Sequence, residues 1–99
     1  MNMQSLMAQA QRMQKEIMGK KEEINKQEFM GNSELVNVKV NGKKEVLFVD
    51  IKKDVELSQD DIELLQDMIV IAMNDAFKKV DEATENSMGA YGNSLNGLI

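Results

Sequence analysis

The sequence predicts an α+β fold: a long helix, a three-stranded antiparallel meander and a second helix (αβββα). Three observations predict it. Apolar residues recur every three or four positions through residues 2–27 and again from Ile62 to Ala83. Between these stretches the period drops to two. Asn41-Gly42 stands between two alternating runs, where it is the strongest short-range mark of a hairpin.

In the first helix, Met3, Leu6, Ala10, Met13, Ile17 and Ile24 fall alternately three and four apart, with one gap at Lys20. This is a heptad seam. Gln, Lys, Glu, Met and Ala fill the remaining positions and favour helix, with Gly19 the one weak point. A rod of about 37 Å is too long for the rest of a small chain to cover, so its seam needs a partner helix from this chain or another. The lysine in the seam suggests that the C-terminal half of this helix projects from the core.

Phe29 and Met30 suggest a short first strand ended by Gly31-Asn32-Ser33. Leu35–Val40 alternates, with Val36, Val38 and Val40 on one face. A two-residue turn at Asn41-Gly42, both at positive φ, leads into Glu45–Ile51, with Leu47, Val49 and Ile51 on one face and Val46 and Phe48 on the other. Apolar residues on both faces leave neither side fully wet.

Ser58 opens the second helix as a cap, with Asp61 placed to reach back to it. The stripe Ile62, Leu65, Ile69, Ala72, Ala76, Val80, Ala83 is joined by further apolar lines at Leu64, Met68, Ile71 and at Met73, Phe77. Around Met68–Met73 the helix is apolar nearly all round, and the side not used by its own sheet most simply meets a second copy. Met68, Ile69, Ile71, Ala72, Met73 and Asn74, with Phe48, are therefore the candidate dimer contacts. Asn74 is open to two readings: a polar face resuming, or a buried amide that fixes dimer register. The single domain covers residues 1–88, and residues 89–99 form an uncharged, glycine-containing tail.

Composition closes off several function classes. The chain has 99 residues with no Cys, His, Trp or Pro. That removes disulfides, thiolate zinc sites, the commonest metal ligand and the commonest general base. Serine and threonine hydroxyls have no histidine to activate them. Asp60/Asp61 and Asp81/Glu82 are adjacent on a helix, hence about 100° apart, and read as solvated surface rather than an acid–base pair. No enzyme, cofactor, metal or small-molecule substrate is expected. The longest apolar run, Met68–Met73, is too short for a membrane span, and the N-terminus lacks the pattern of a signal peptide, so a cytoplasmic protein with no membrane partner is expected. Nine methionines read mainly as packing groups, with an adaptable binding surface as the alternative.

The net charge of −5 is unevenly spread. Residues 1–27 are weakly basic, whereas residues 54–99 hold Lys78 and Lys79 against ten acids. Arg12, Lys15, Lys20, Lys21, Lys26, Lys78 and Lys79 are the candidate phosphate contacts. The plain alternative is a solvated helix whose lysines pair with Glu16, Glu22 and Glu23. No arginine stands where it could read guanine, so sequence preference would be weak.

One combination is distinctive as a whole. It comprises the Gln/Met-rich Met7–Gln14, Leu35–Gly42, Val49-Asp50-Ile51, Leu64–Ile69, Ala72–Ala76 and Met88. Their order and spacing resemble the bacterial YbaB/EbfC family across nearly the whole chain. The resemblance implies an αβββα protomer in an intertwined, tweezer-shaped homodimer, located in the cytoplasm on the nucleoid. It implies binding of double-stranded DNA without enzymatic activity, through projecting helices that here would be residues 12–26 and the C-terminal part of the second helix. The chain departs from the family pattern in three places. Only Gly31 remains of a glycine-rich segment, Lys52-Lys53 replaces an aspartate-proline, and Leu47 and Phe48 are unusually apolar. The rival from another class is an acidic dimeric scaffold that binds a protein rather than DNA, which the charge of residues 54–99 favours.

Overall fold

The computed structural model describes residues 2–89. The order is α1 (Met3–Lys26), β1 (Glu28–Asn32), β2 (Val36–Asn41), β3 (Val46–Ile51), a 3-10 turn (Gln59–Asp61) and α2 (Ile62–Met88). The three strands form one antiparallel sheet in the order β1-β2-β3. This is the αβββα protomer expected from the sequence. Most of the tail at 89–99 lies outside the described residues.

The alternation in β2 sets the core. Val36, Val38 and Val40 are buried and meet Ala72, Ala76 and Val80 of α2. Phe29, Leu65, Met68, Ile69, Met73 and Phe77 pack around that centre while keeping some exposure. Small alanines let α2 lie close to the sheet, and β1 carries this further. Gly31 pairs with Val38 and sits beneath α2, where an added Cβ would lie 1.9 Å from the Ala72 carbonyl oxygen. Gly31 therefore does not end the first strand as expected. It lies inside a strand that extends to Asn32, because the helix backbone needs the space a side chain would fill.

The β2–β3 connection also differs from expectation. Asn41 N donates to Glu45 O (3.0 Å) and Lys44 N to Asn41 O (2.9 Å), closing a three-residue loop, Gly42-Lys43-Lys44. The positive φ falls at Lys44 (62°), not at Gly42. The Asn41 side chain holds this form by accepting from Lys43 N and Glu45 N. Gly42 serves contact instead of torsion, since a Cβ there would strike the Ile24 carbonyl of α1. Further along, Lys39 pairs with Phe48 but Val40 pairs with Val46, so Leu47 is an extra, bulged residue. The bulge brings Val46 opposite core-facing Val40, and Val46 therefore departs from the strict alternation that grouped it with Phe48.

Ser58 stands at the N-cap of the 3-10 turn that leads into α2. Its backbone N–H and its hydroxyl both donate to Asp61 Oδ2, at 2.9 and 3.0 Å. These two bonds hold the Asp61 carboxyl below the ordinary aspartate range.

α1 corrects a second expectation. Its C-terminal half is the anchored part: Ile24 is buried, Ile17 and Lys20 are half-buried, and Lys20 Nζ donates to Ser87 O at 3.3 Å near the end of α2. The N-terminal half projects, with Met3 77% and Met7 59% exposed. A lysine in a seam need not leave the core. Instead, its long apolar stem lies along the helix contact while its ammonium finds a carbonyl. The protomer measures 70 × 21 × 15 Å, with a radius of gyration of 19.4 Å. A compact chain of this length would have about 13 Å.

Candidate nucleic-acid interface

On α1, Ala8, Arg12, Lys15, Gly19, Glu22 and Lys26 follow one another at spacings of four and three, and so form one stripe. It lies opposite the seam of Met3, Leu6, Ala10, Met13, Ile17 and Ile24. With the C-terminal seam held against α2, this stripe is turned outward. Arg12, Lys15, Lys21 and Lys26 are exposed and take part in no ion pair among the described residues. Arg12 to Lys26 covers about 21 Å of helix. Such cations along one helix face can follow a phosphodiester backbone, since phosphate contacts need charge and reach but no fixed base geometry.

The other sequence candidates are placed differently. Lys20 is half-buried and committed to Ser87. Lys78 is exposed on α2. Lys79 is engaged within the protomer: its Nζ donates to Met30 O at 2.7 Å and lies 3.2 Å from Asp75 Oδ2. Asp75 also accepts from Asn32 N at 3.0 Å, and that bond together with Lys79 lowers its carboxyl from the ordinary value. Lys79 and Asp75 thus tie α2 to the edge of β1.

The structure adds Lys43, which the sequence reading passed over. The hairpin loop approaches the end of α1, and Lys43 and Lys26 line a shared open groove of about 360 Å³ with Glu22, Asn25, Asn41 and Glu45. The sequence signal was a lysine at the tip of the hairpin, and only the fold brings that tip to α1. Lys44, beside it, pairs with Asp81 at 2.8 Å. Among the described residues, no group of three or more acidic side chains could hold a metal ion, and no helix is long and apolar enough to cross a membrane.

A model of the YbaB/EbfC DNA-binding family matches residues 1–95. The chain belongs to that family. It is similar to a nucleoid-associated protein of Clostridium novyi, with 43% identity over 97% of this chain and 85% of the relative. A nucleoid-associated protein of Ligilactobacillus salivarius is 37% identical over 99% of this chain and 95% of its own length. One from Streptococcus agalactiae is 42% identical over 96% and 97%. The family match therefore takes in α1, the hairpin and α2 together, the three elements that carry the cations described above.

The candidate dimer residues fall into three groups. Phe48, Ile71 and Asn74 are exposed, with Ile71 at 56%. Met68, Ile69 and Met73 are half-buried against the protomer's own core. Ala72 is fully buried under Gly31 and leaves no surface of its own. The uncovered apolar surface also takes in Val46, Leu47 and Val49 of β3, and Leu64 and Val70 of α2. On the outer sheet face, Lys39 Nζ lies 5.1 Å from the Phe48 ring centre and 3.2 Å from Glu28.

Proposed function

We propose that this protein is a non-enzymatic, nucleoid-associated protein of the bacterial cytoplasm that binds double-stranded DNA as a homodimer, with little sequence preference. The observation that carries the reading is the outward stripe of cations on α1 without ion pairs among the described residues, Arg12 and Lys15 on its projecting half and Lys26 at its anchored end, in a chain of a DNA-binding family. Two copies joined through the exposed apolar surface of β3 and α2 present two such helices. Each contributes phosphate contacts, and duplication raises the affinity of an interface that is weak in a single copy. The dimer reading rests on the elongated shape and on exposed apolar side chains, Leu47 and Phe48 of β3 and Leu64, Val70 and Ile71 of α2, that a second copy would cover.

The test is fluorescence anisotropy of a short labelled duplex at several salt concentrations. Wild type is compared with a variant carrying Arg12, Lys15, Lys21 and Lys26 changed to glutamine. Lys20 is left intact because it holds the α1–α2 contact. Wild-type binding with a steep negative salt slope, lost in the variant, supports the reading. No binding at low salt removes it.

One observation favours the scaffold reading. Asp54, Glu56, Asp60, Asp61, Glu63 and Asp67 alternate along the chain with exposed Val55, Leu57, Ile62 and Leu64. Such a surface repels phosphate and suits a basic, amphipathic protein segment. A protein that fails the anisotropy test would be examined in this light.

A further inference from the structure

Gly19 stands inside α1 where nothing among the described residues requires a glycine. A Cβ at that position would meet no described atom within 4 Å, so no close approach among those residues demands it, and the residue is exposed. Glycine is among the poorest helix formers, and an exposed helix interior is where that weakness acts undiluted. Its position along the rod matters. Immediately after it, Lys20 bonds to Ser87 and Ile24 is buried. Before it, Ile17 is half-buried, and Met18, Met13, Met7, Leu6 and Met3 are exposed. A helical arm this exposed is marginal in water and depends largely on its own propensity. A break at Gly19 therefore costs less than one among residues 20–26, because it falls on the weakest residue of the rod and ahead of the anchored Lys20 and Ile24.

The same residue divides the cationic stripe. Arg12 and Lys15 lie on the free arm, whereas Lys26, with Lys43 across the groove, belongs to the anchored body. We infer that Gly19 is a joint that lets the arm bearing Arg12 and Lys15 turn relative to the body bearing Lys26 and Lys43, so that both sets reach one phosphate backbone. A straight rod offers its cations along a line, and a duplex backbone curves away from it. The joint lets the arm follow that curve. Gly19 acts as a positioning residue and touches nothing itself. This inference rests on the DNA-binding reading above and extends it.

Residue-resolved amide hydrogen exchange tests the joint without DNA. Residues 7–18 should exchange faster than residues 20–26, with the step at Gly19, and Gly19→Ala should slow the arm roughly fivefold, as the propensity difference dictates. Uniform protection across Gly19, or an arm unchanged in Gly19→Ala, overturns the joint. Duplex anisotropy then tests its use. A stiffened arm should lose the contacts of Arg12 and Lys15, so the slope of log K against log salt should flatten by roughly 1.8 in Gly19→Ala for two lost phosphates. A merely structural glycine would leave that slope unchanged, and this result overturns the proposal. If wild type binds no duplex, the DNA reading and the use of the joint fall together, while the exchange data still decide whether the joint exists.

Discussion

Replacing Gly31 with alanine should damage this fold out of proportion to the single methyl added. The new Cβ would lie 1.9 Å from the Ala72 carbonyl oxygen, 2.5 Å from Ala76 N and 2.7 Å from Ala76 Cβ. Two of these are backbone atoms of α2, which no side-chain rotation can move away. Relief to 3.0 Å requires helix and strand to separate by about 1 Å. That separation falls at the centre of the core, where Val36, Val38 and Val40 meet Ala72, Ala76 and Val80. Overpacking of a well-filled core costs about 1–3 kcal/mol, and with backbone on both sides the upper end applies. Domains of this size hold roughly 5–15 kcal/mol in all, so Gly31→Ala should lose a substantial fraction. Urea unfolding by circular dichroism measures it, at one fixed chain concentration so that the proposed dimerisation weighs equally on both proteins. A change below about 0.5 kcal/mol, the range of ordinary surface substitutions, would refute the close approach of α2 to β1.

Other predictions concern charge and surface. Asp75 and Asp61 have carboxyls held below the ordinary aspartate value of 3.8, so their contribution to stability is complete above that value and is lost as the pH falls through the lowered one. Thermal melts between pH 2 and 6 should therefore show a flatter acid limb in Asp75→Asn than in wild type. Lys15→Gln and Lys26→Gln should each reduce the salt slope of duplex binding by about 0.9. Lys79→Gln should leave that slope nearly unchanged and lower the melting temperature, because this ammonium is spent on Asp75 and Met30. Ile71→Asp, at a residue 56% exposed in the protomer, should shift sedimentation from dimer to monomer without changing the secondary structure seen by circular dichroism.

Much of this was legible in the chain because it depends on short-range periodicity. The i, i+2 valines of β2 and the i, i+4 alanines of α2 each name one face, and those two faces make the core. What could not be read depends on residues distant in sequence. Gly31 has the local appearance of a strand end, and only the Ala72 backbone 41 positions later explains it. Lys20 looks like a break in a seam until Ser87 supplies its acceptor. The Asn-Gly pair signals a hairpin correctly, but Asn41 accepting from both Lys43 and Glu45 selects the longer loop. The candidate site shares this limit. The stripe on α1 follows from helical spacing alone, whereas Lys43 enters it through the packing of Gly42 on Ile24, and Lys79 leaves it through a bond to β1.

These misreadings bear on how an acidic protein could hold DNA. Total charge argues against it, but in a molecule 70 Å long the fold sets the six acids of residues 54–67 apart from Arg12 and Lys15. The acids of residues 54–67 precede or open α2, whose start is far along the helix from Ser87, while Arg12 and Lys15 lie on the α1 arm beyond that contact. The 27 residues of α2 set about 40 Å between its ends. At about 8 Å, the screening length in physiological salt is several times shorter. A phosphate beside Arg12 therefore responds to the arm's own cations and scarcely to the acidic end. The anchored half of α1 matters as much as its lysines: by fixing the helix against the C-terminal end of α2, it sets the basic arm apart from the acids of residues 54–67 and leaves Asp81, Glu82 and Glu85 as the acids of α2 nearest the contact.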